Sequence, residues 1–166
     1  MSNESLDDIP PFNTGKTWEE MTVGSKQRTA SRTVTETDLV NFVALAGFNE
    51  PLFYDARHAG EGGYSGRLVP GALTYALAEG LVIQSHALHG TGLAFMHMEL
   101  DVRAPVYVGD TLTVVVEVTA ARPSNRPGRG VVTARNTVYN QRGEEVLVFT
   151  PVRLIRGRDF VADAEP

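Results

Sequence analysis

The sequence predicts an α+β fold, one long antiparallel sheet wrapped around a central helix. Three observations lead there. From about Leu93 onward the chain alternates apolar and polar residues at strand period, interrupted only by turn signals. A slim helix rich in Ala, Gly and Leu precedes that half. One strand and one amphipathic helix come before it. Strands and helices segregated along a chain in this way indicate α+β rather than an alternating α/β order.

Taken in order, Lys26 to Val34 alternates β-branched and polar residues and reads as the first strand. A helix follows. Thr35 can cap it, and Asp38 three residues on completes a capping-box pair. Leu39, Phe42, Val43 and Ala46 fall at i, i+3, i+4 and i+7 and make one apolar stripe. Gly47 stands where this helix should stop. Asn49 to Tyr64 has no clear period and holds Pro51, Gly60, Gly62 and Gly63, so it reads as a loop with at most a short turn. A loop of that length in a small domain is functional or mobile.

The second helix covers about Pro70 to Ser85 and opens at Pro70 or Gly71. Leu73, Ala76, Leu77, Gly80 and Leu81 form its stripe. Apolar residues nearly all round it call for burial inside a curved sheet. Four long strands are expected next. Leu93 to Tyr107 sets Met96, Met98, Leu100 and Val102 on one face, and Phe95, His97, Glu99, Asp101 and Arg103 on the other. Thr111 to Ala121 alternates through Leu112, Val114, Val116 and Val118. Val131 to Asn140 and Glu144 to Arg156 are joined by an Asn140-Gln141-Arg142-Gly143 turn. Arg122 to Gly130 is a longer, Arg-rich hairpin loop. The four strands read as an antiparallel meander, and a sheet of this kind around one helix is the hot-dog arrangement.

A chain of 166 residues fits one domain with one core. That domain is expected over residues 16–157, between a flexible leader at 1–15 and an acidic tail at 158–166. Met1 to Pro11 has no basic side chain and does not fit a secretory signal. No apolar stretch is long enough for a bilayer. A net charge of −5 argues against nucleic acid or an anionic membrane as partner. The chain has no cysteine, which excludes disulfides, thiolate nucleophiles and Cys-ligated metals. A cytoplasmic location is the default. No His pair has zinc-site spacing, so no metal or resident cofactor is expected.

Three segments resemble a known family. They are Gly66-Arg67-Leu68-Val69-Pro70-Gly71-Ala72-Leu73, Arg103-Ala104-Pro105-Val106-Tyr107-Val108-Gly109-Asp110-Thr111-Leu112, and Asn140-Gln141-Arg142-Gly143-Glu144. With Trp18 to Gly24, they resemble the MaoC-like (R)-specific enoyl-CoA hydratases and dehydratases of the hot-dog superfamily, over roughly Lys16 to Arg156. The resemblance implies a dimer with pockets at its interface. It also implies an acyl thioester substrate, carried on coenzyme A or a carrier protein. Family enzymes follow the first helix with a Ser-Gly-Asp-x-Asn-Pro-Leu-His-like run, whose Asp and His activate the water. Here the run is Ala46-Gly47-Phe48-Asn49-Glu50-Pro51-Leu52-Phe53-Tyr54-Asp55. Phe48 takes the Asp position, Glu50 the Asn position and Phe53 the His position. Phe cannot move a proton.

The remaining candidates follow from the residues themselves. Glu50 between two Phe could act as acid or base, or could be a solvated loop carboxylate. Asn49 could orient a water or occupy a turn. Tyr54 and Tyr64 could donate to a substrate oxygen or pack the loop. Asp55 is expected to be structural. His58 is the only His near the run, on a Gly-rich stretch. His86 and His89 complement a helix C-terminus, and His97 sits on a polar strand face. The family resemblance implies that Gly71 contacts the thioester carbonyl, or Gly71 merely permits a tight helix entry. A backbone N–H at the positive end of a helix suits a carbonyl or oxyanion, and Gly admits close approach. Arg122, Arg126 and Arg129 could meet a nucleotide phosphate or be a solvated hairpin. Three functions are open: a hydro-lyase on an unsaturated thioester with non-standard catalytic residues, a non-catalytic subunit of a hot-dog heterodimer, or an acyl-ligand binder.

Overall fold

The computed structural model describes residues 14–162, so most of the expected leader and the last part of the acidic tail lie outside the described residues. A short 3-10 turn at Trp18–Glu20 leads into β1 (Lys26–Thr33) and α1 (Glu36–Ala46). Then come α2 (Pro51–Tyr54), α3 (Ala56–Glu61), β2 (Leu68–Val69) and α4 (Gly71–Gln84). β3 (Gly92–Val102), β4 (Val106–Tyr107), β5 (Thr111–Pro123), β6 (Arg129–Tyr139) and β7 (Glu145–Arg156) complete the order.

β1, β5, β6, β7 and β3 make one antiparallel sheet in that order, and β2 pairs with β4. Leu73, Leu77 and Leu81 of α4 pack into Leu112, Val114, Val138, Leu147 and Phe149 of the sheet. This is the expected α+β hot-dog arrangement. The meander, however, covers only β5 to β7. β3 does not form a hairpin with β5. The chain between them is diverted at β4, where Val108 N–H donates to Arg67 at 2.9 Å and Leu68 and Val69 pair with Tyr107 and Val106. β3 therefore takes the far edge, beside β7.

A bulge changes the expected faces of β3. The register slips between Phe95 and His97, so Phe95 lies opposite Arg153, while Met98 and Leu100 lie opposite Pro151 and Phe149. One extra residue turns Phe95 onto the helix-facing side with Met98, Leu100 and Val102, and leaves Met96 unpaired. The Arg153 guanidinium stacks on the Phe95 ring at 5.3 Å.

α1 starts and stops as its sequence predicts. Thr35 Oγ1 accepts from Asp38 N–H at 3.2 Å, Asp38 Oδ2 accepts from Thr35 N–H at 2.9 Å, and Gly47 ends the helix at φ 70°. Of its stripe, Leu39 is fully buried, Phe42 and Val43 are half-buried, and Ala46 is exposed. The expected loop after it contains two short helices. Pro51 opens α2, and Asp55 caps α3 by accepting from Arg57 N–H at 3.0 Å. Local caps supply what periodicity could not reveal in helices this short.

α4 is buried on one side only. Leu73, Thr74, Leu77, Ala78, Leu81 and Val82 face the sheet, while Ala72, Ala76 and Ile83 are exposed. Five strands cover one side of a helix, so its second apolar side has no cover among the described residues. Packing also runs past Gly157 into the expected tail. Phe160 lies between Arg129 and Arg156, whose guanidinium groups sit 4.9 and 4.6 Å from its ring.

Candidate functional site

A cleft of about 330 Å³ opens at the N-terminal end of α4. Its floor is apolar, with Val69, Val106, Val146 and Leu147. Phe53, Tyr64, Gly71, Thr74 and Arg103 line it as well. The β2–β4 pair holds its two walls together. Asp110, buried in the turn after β4, fixes that pair's end by accepting from Tyr107 N–H at 2.9 Å and Gln141 Nε2 at 2.7 Å.

Gly71 is the first residue of α4, and Pro70 before it supplies no side-chain cap. The first amides of a helix have no acceptor within it, and their partial positive charge favours an oxygen bearing developing negative charge. A Cβ at Gly71 would come within 3.1 Å of Val102 Cγ2. Glycine thus keeps the space between α4 and β3 open at the cleft. Thr74, one turn on, donates to the Pro70 carbonyl at 3.3 Å and is almost fully buried.

Of the residues expected from the sequence, Gly71, Tyr64 and Phe53 come together in this cleft. Phe48 packs beside it in an aromatic row, 5.2 Å from Phe42 and 6.1 Å from Phe53 between ring centres. Asn49 and Glu50 are exposed on the turn that enters α2, where the Glu50 carbonyl accepts from Phe53 N–H at 2.9 Å. Neither lines the cleft. Tyr54, 57% exposed, does not line it. Asp55 is a cap: hydrogen bonds from the Arg57 side chain, then from its backbone, hold the carboxyl down at about 2.

His58 is exposed 4.0 Å from Glu61, and His86 and His89 face each other past the C-terminus of α4 with ring centres 5.3 Å apart. His97 is exposed on β3. None of the four lines the cleft. Arg129 is buried under Phe160, and Arg122 and Arg126 border a separate groove with Met96 and Leu154. The residues that sequence reasoning missed are Thr74, Arg103, Val146 and Leu147. Thr74 and Leu147 read locally as core, and only the approach of α4 to β7 makes them cleft walls.

A family model described as "MaoC like domain" matches residues 19–140. The chain belongs to the MaoC-like domain family. The (R)-specific enoyl-CoA hydratase of Aeromonas caviae is 31% identical over 125 residues, 75% of this chain and 88% of that protein. The solved structure of a MaoC-like dehydratase from Rhodospirillum rubrum is 29% identical, covers 88% of this chain and 100% of its own, and superposes with a TM-score of 0.76. That of a monoamine oxidase regulatory protein from Archaeoglobus fulgius is 31% identical, covers 87% and 97%, and has a TM-score of 0.80. In this MaoC-like chain, no helix among the described residues is long and apolar enough to cross a membrane. No cluster of His, Asp and Glu among them could hold a metal ion.

Proposed function

We propose that this MaoC-like chain binds an acyl thioester in the cleft and acts on it as a hydratase or dehydratase. Gly71 carries the reading. Its amide, at the uncapped start of a 14-residue helix, opens onto an apolar cleft sized for an acyl group. The thioester carbonyl would accept from that N–H. Negative charge building there as water adds to the β-carbon, or leaves it, would meet the positive end of α4.

Proton handling needs another group, because Phe53 lines the cleft and Phe48 backs it. We assign Glu50 as the acid or base, with Asn49 orienting the water; both stand exposed on the turn before α2, outside the cleft wall, so this role requires that turn to move inward over Phe53. Tyr64 donates to a substrate oxygen from the cleft wall; Tyr54 acts only if the α2 turn moves. The test is hydration of crotonyl-CoA by the purified chain. Turnover is expected, falling at least about a hundredfold in Glu50→Gln, the scale of general acid–base catalysis. Turnover unchanged in Glu50→Gln would remove Glu50 from the mechanism; binding of no thioester would remove the function.

A second reading is favoured by β3. It is a sheet edge, and Phe95, Met96, Leu100 and Val102 on it are all exposed. An open edge with apolar side chains calls for a partner strand. Together with the uncovered side of α4, this supports pairing of two hot-dog domains along β3, as a homodimer or with a related chain that supplies a conventional acid and base. Leu100→Glu should convert a dimer to monomer in light scattering. Co-purification with a second hot-dog chain would favour the heterodimer.

A further inference from the structure

Asn136 is the one side chain among the described residues that is fully buried with both polar ends unused. It is 0% exposed, and neither Nδ2 nor Oδ1 has a hydrogen-bond partner in the protein. It stands in the middle of β6, directly opposite Val116 of β5 and Phe149 of β7. Residues opposed in this way share a face. Phe149 belongs to the core beneath α4, as does Val138 two residues along β6. Asn136 therefore points toward the helix, among apolar side chains.

Asn136 does not itself line the cleft; it stands one strand position behind the cleft floor. Val138 pairs with Leu147, and Leu147 is cleft floor. Asn136 is the next residue inward on that face, about 7 Å beyond at strand spacing. On the helix side, Thr74 lines the cleft, and Ala78, four residues on and on the same face, presents only a methyl group. A Leu or Val at position 136 would suit this core better, since each unmade buried hydrogen bond is destabilising.

We propose that Asn136 reads the far end of the acyl group, and that the substrate is a short acyl thioester ending in an uncharged hydrogen-bonding group such as a hydroxyl. This rests on the thioester reading above. Asn offers one donor group and one acceptor and no charge. The residues opposite it, Val116 and Phe149, are also uncharged. A terminal hydroxyl can use both ends of the amide, whereas a methyl leaves both unmade.

Dissociation constants measured by calorimetry would test this without requiring turnover. The probes are two matched pairs: butyryl-CoA with 4-hydroxybutyryl-CoA, and hexanoyl-CoA with 6-hydroxyhexanoyl-CoA. The wild-type chain should prefer the hydroxylated member of at least one pair by about tenfold or more. Asn136→Leu should bring that ratio close to one, while its denaturation midpoint rises. Asn136→Thr, too short to reach the same group, should also lose the preference if the Leu variant does not fold. No preference in the wild type, or a preference that both variants keep, overturns the proposal. In that case Asn136 is a core amide paired with internal water. Binding of none of the four thioesters overturns the thioester reading itself, and this inference with it.

Discussion

The two ends of α4 meet the same sheet but use glycine differently. Beyond the C-terminal end the chain itself closes over the sheet, while beside the helix a groove lined by Gln27, Thr29, Val82, Ser85 and Val116 stays open. Trp18 packs over Gly130 and Gly157, where a Cβ on either glycine would collide with it. Val118, Val132 and Ile155 join Trp18, Met21 and Leu88 in a second apolar cluster. Gly15 and Lys16 are tied to His89 and Ala87 by backbone bonds of 2.7 and 2.9 Å. At the N-terminal end Gly71 keeps space open, and its cover from the segment after α1 is Phe53 of α2, the helix against which α3 packs, together with Tyr64. Glycine therefore does two different jobs. At Gly130 its missing side chain is replaced by an indole from this chain; at Gly71 the space beside Val102 borders the open cleft.

Substitutions that add a side chain at each end should separate these roles. The largest effect is expected at the closed end. Gly130→Val must displace Trp18 and should cost about 3 kcal/mol in urea denaturation, the upper range for overpacking. A loss under about 0.5 kcal/mol would mean that the indole is not packed as described. At the open end Gly71→Ala should change stability by less than about 1 kcal/mol, because only the end of Val102 has to shift. The same change should weaken butyryl-CoA binding at least about tenfold. Equal stability losses at the two glycines would erase the contrast.

The smallest effect concerns the segment that carries this cover. Asp55 holds the start of α3, and its carboxyl lies at about 2 against an ordinary 3.8. A depressed carboxyl contributes stability above its unfolded value. That contribution is complete above about pH 4 and is lost as pH falls through about 2. Amide exchange in α3 should rise over this window, and Asp55→Asn should flatten the change. The group is a surface helix cap paired with an exposed Arg57, so global stability should respond little.

Much of this was legible from local signals. The Thr35–Asp38 box, Gly47, the Asn140–Gly143 turn and the alternation of β5, β6 and β7 each depend on neighbours within a few residues. Three features were not. α2 and α3 are too short to show a period. The bulge that turns Phe95 inward is set by pairing with Arg153 across β7. The faces of α4 differ in cover although its sequence is apolar nearly all round. The site divides the same way. Gly71 and Phe53 stand out through motif and helix entry, but Leu147 and Asn136 look like any strand residue until β7 and β6 lie beneath α4.

The sequence by itself determined the longer elements, the caps of α1, the Asn140–Gly143 turn and the family, because these rest on side-chain type and short spacing. Tertiary structure alone decided which edge β3 takes, that Trp18 fills the space at Gly130, and that Glu50 stands outside the cleft wall that Phe53 helps to form. It also decided that Asn136 is sealed in the core with both ends of its amide unused. Those outcomes depend on contacts between residues far apart in the chain, and no local pattern specifies them.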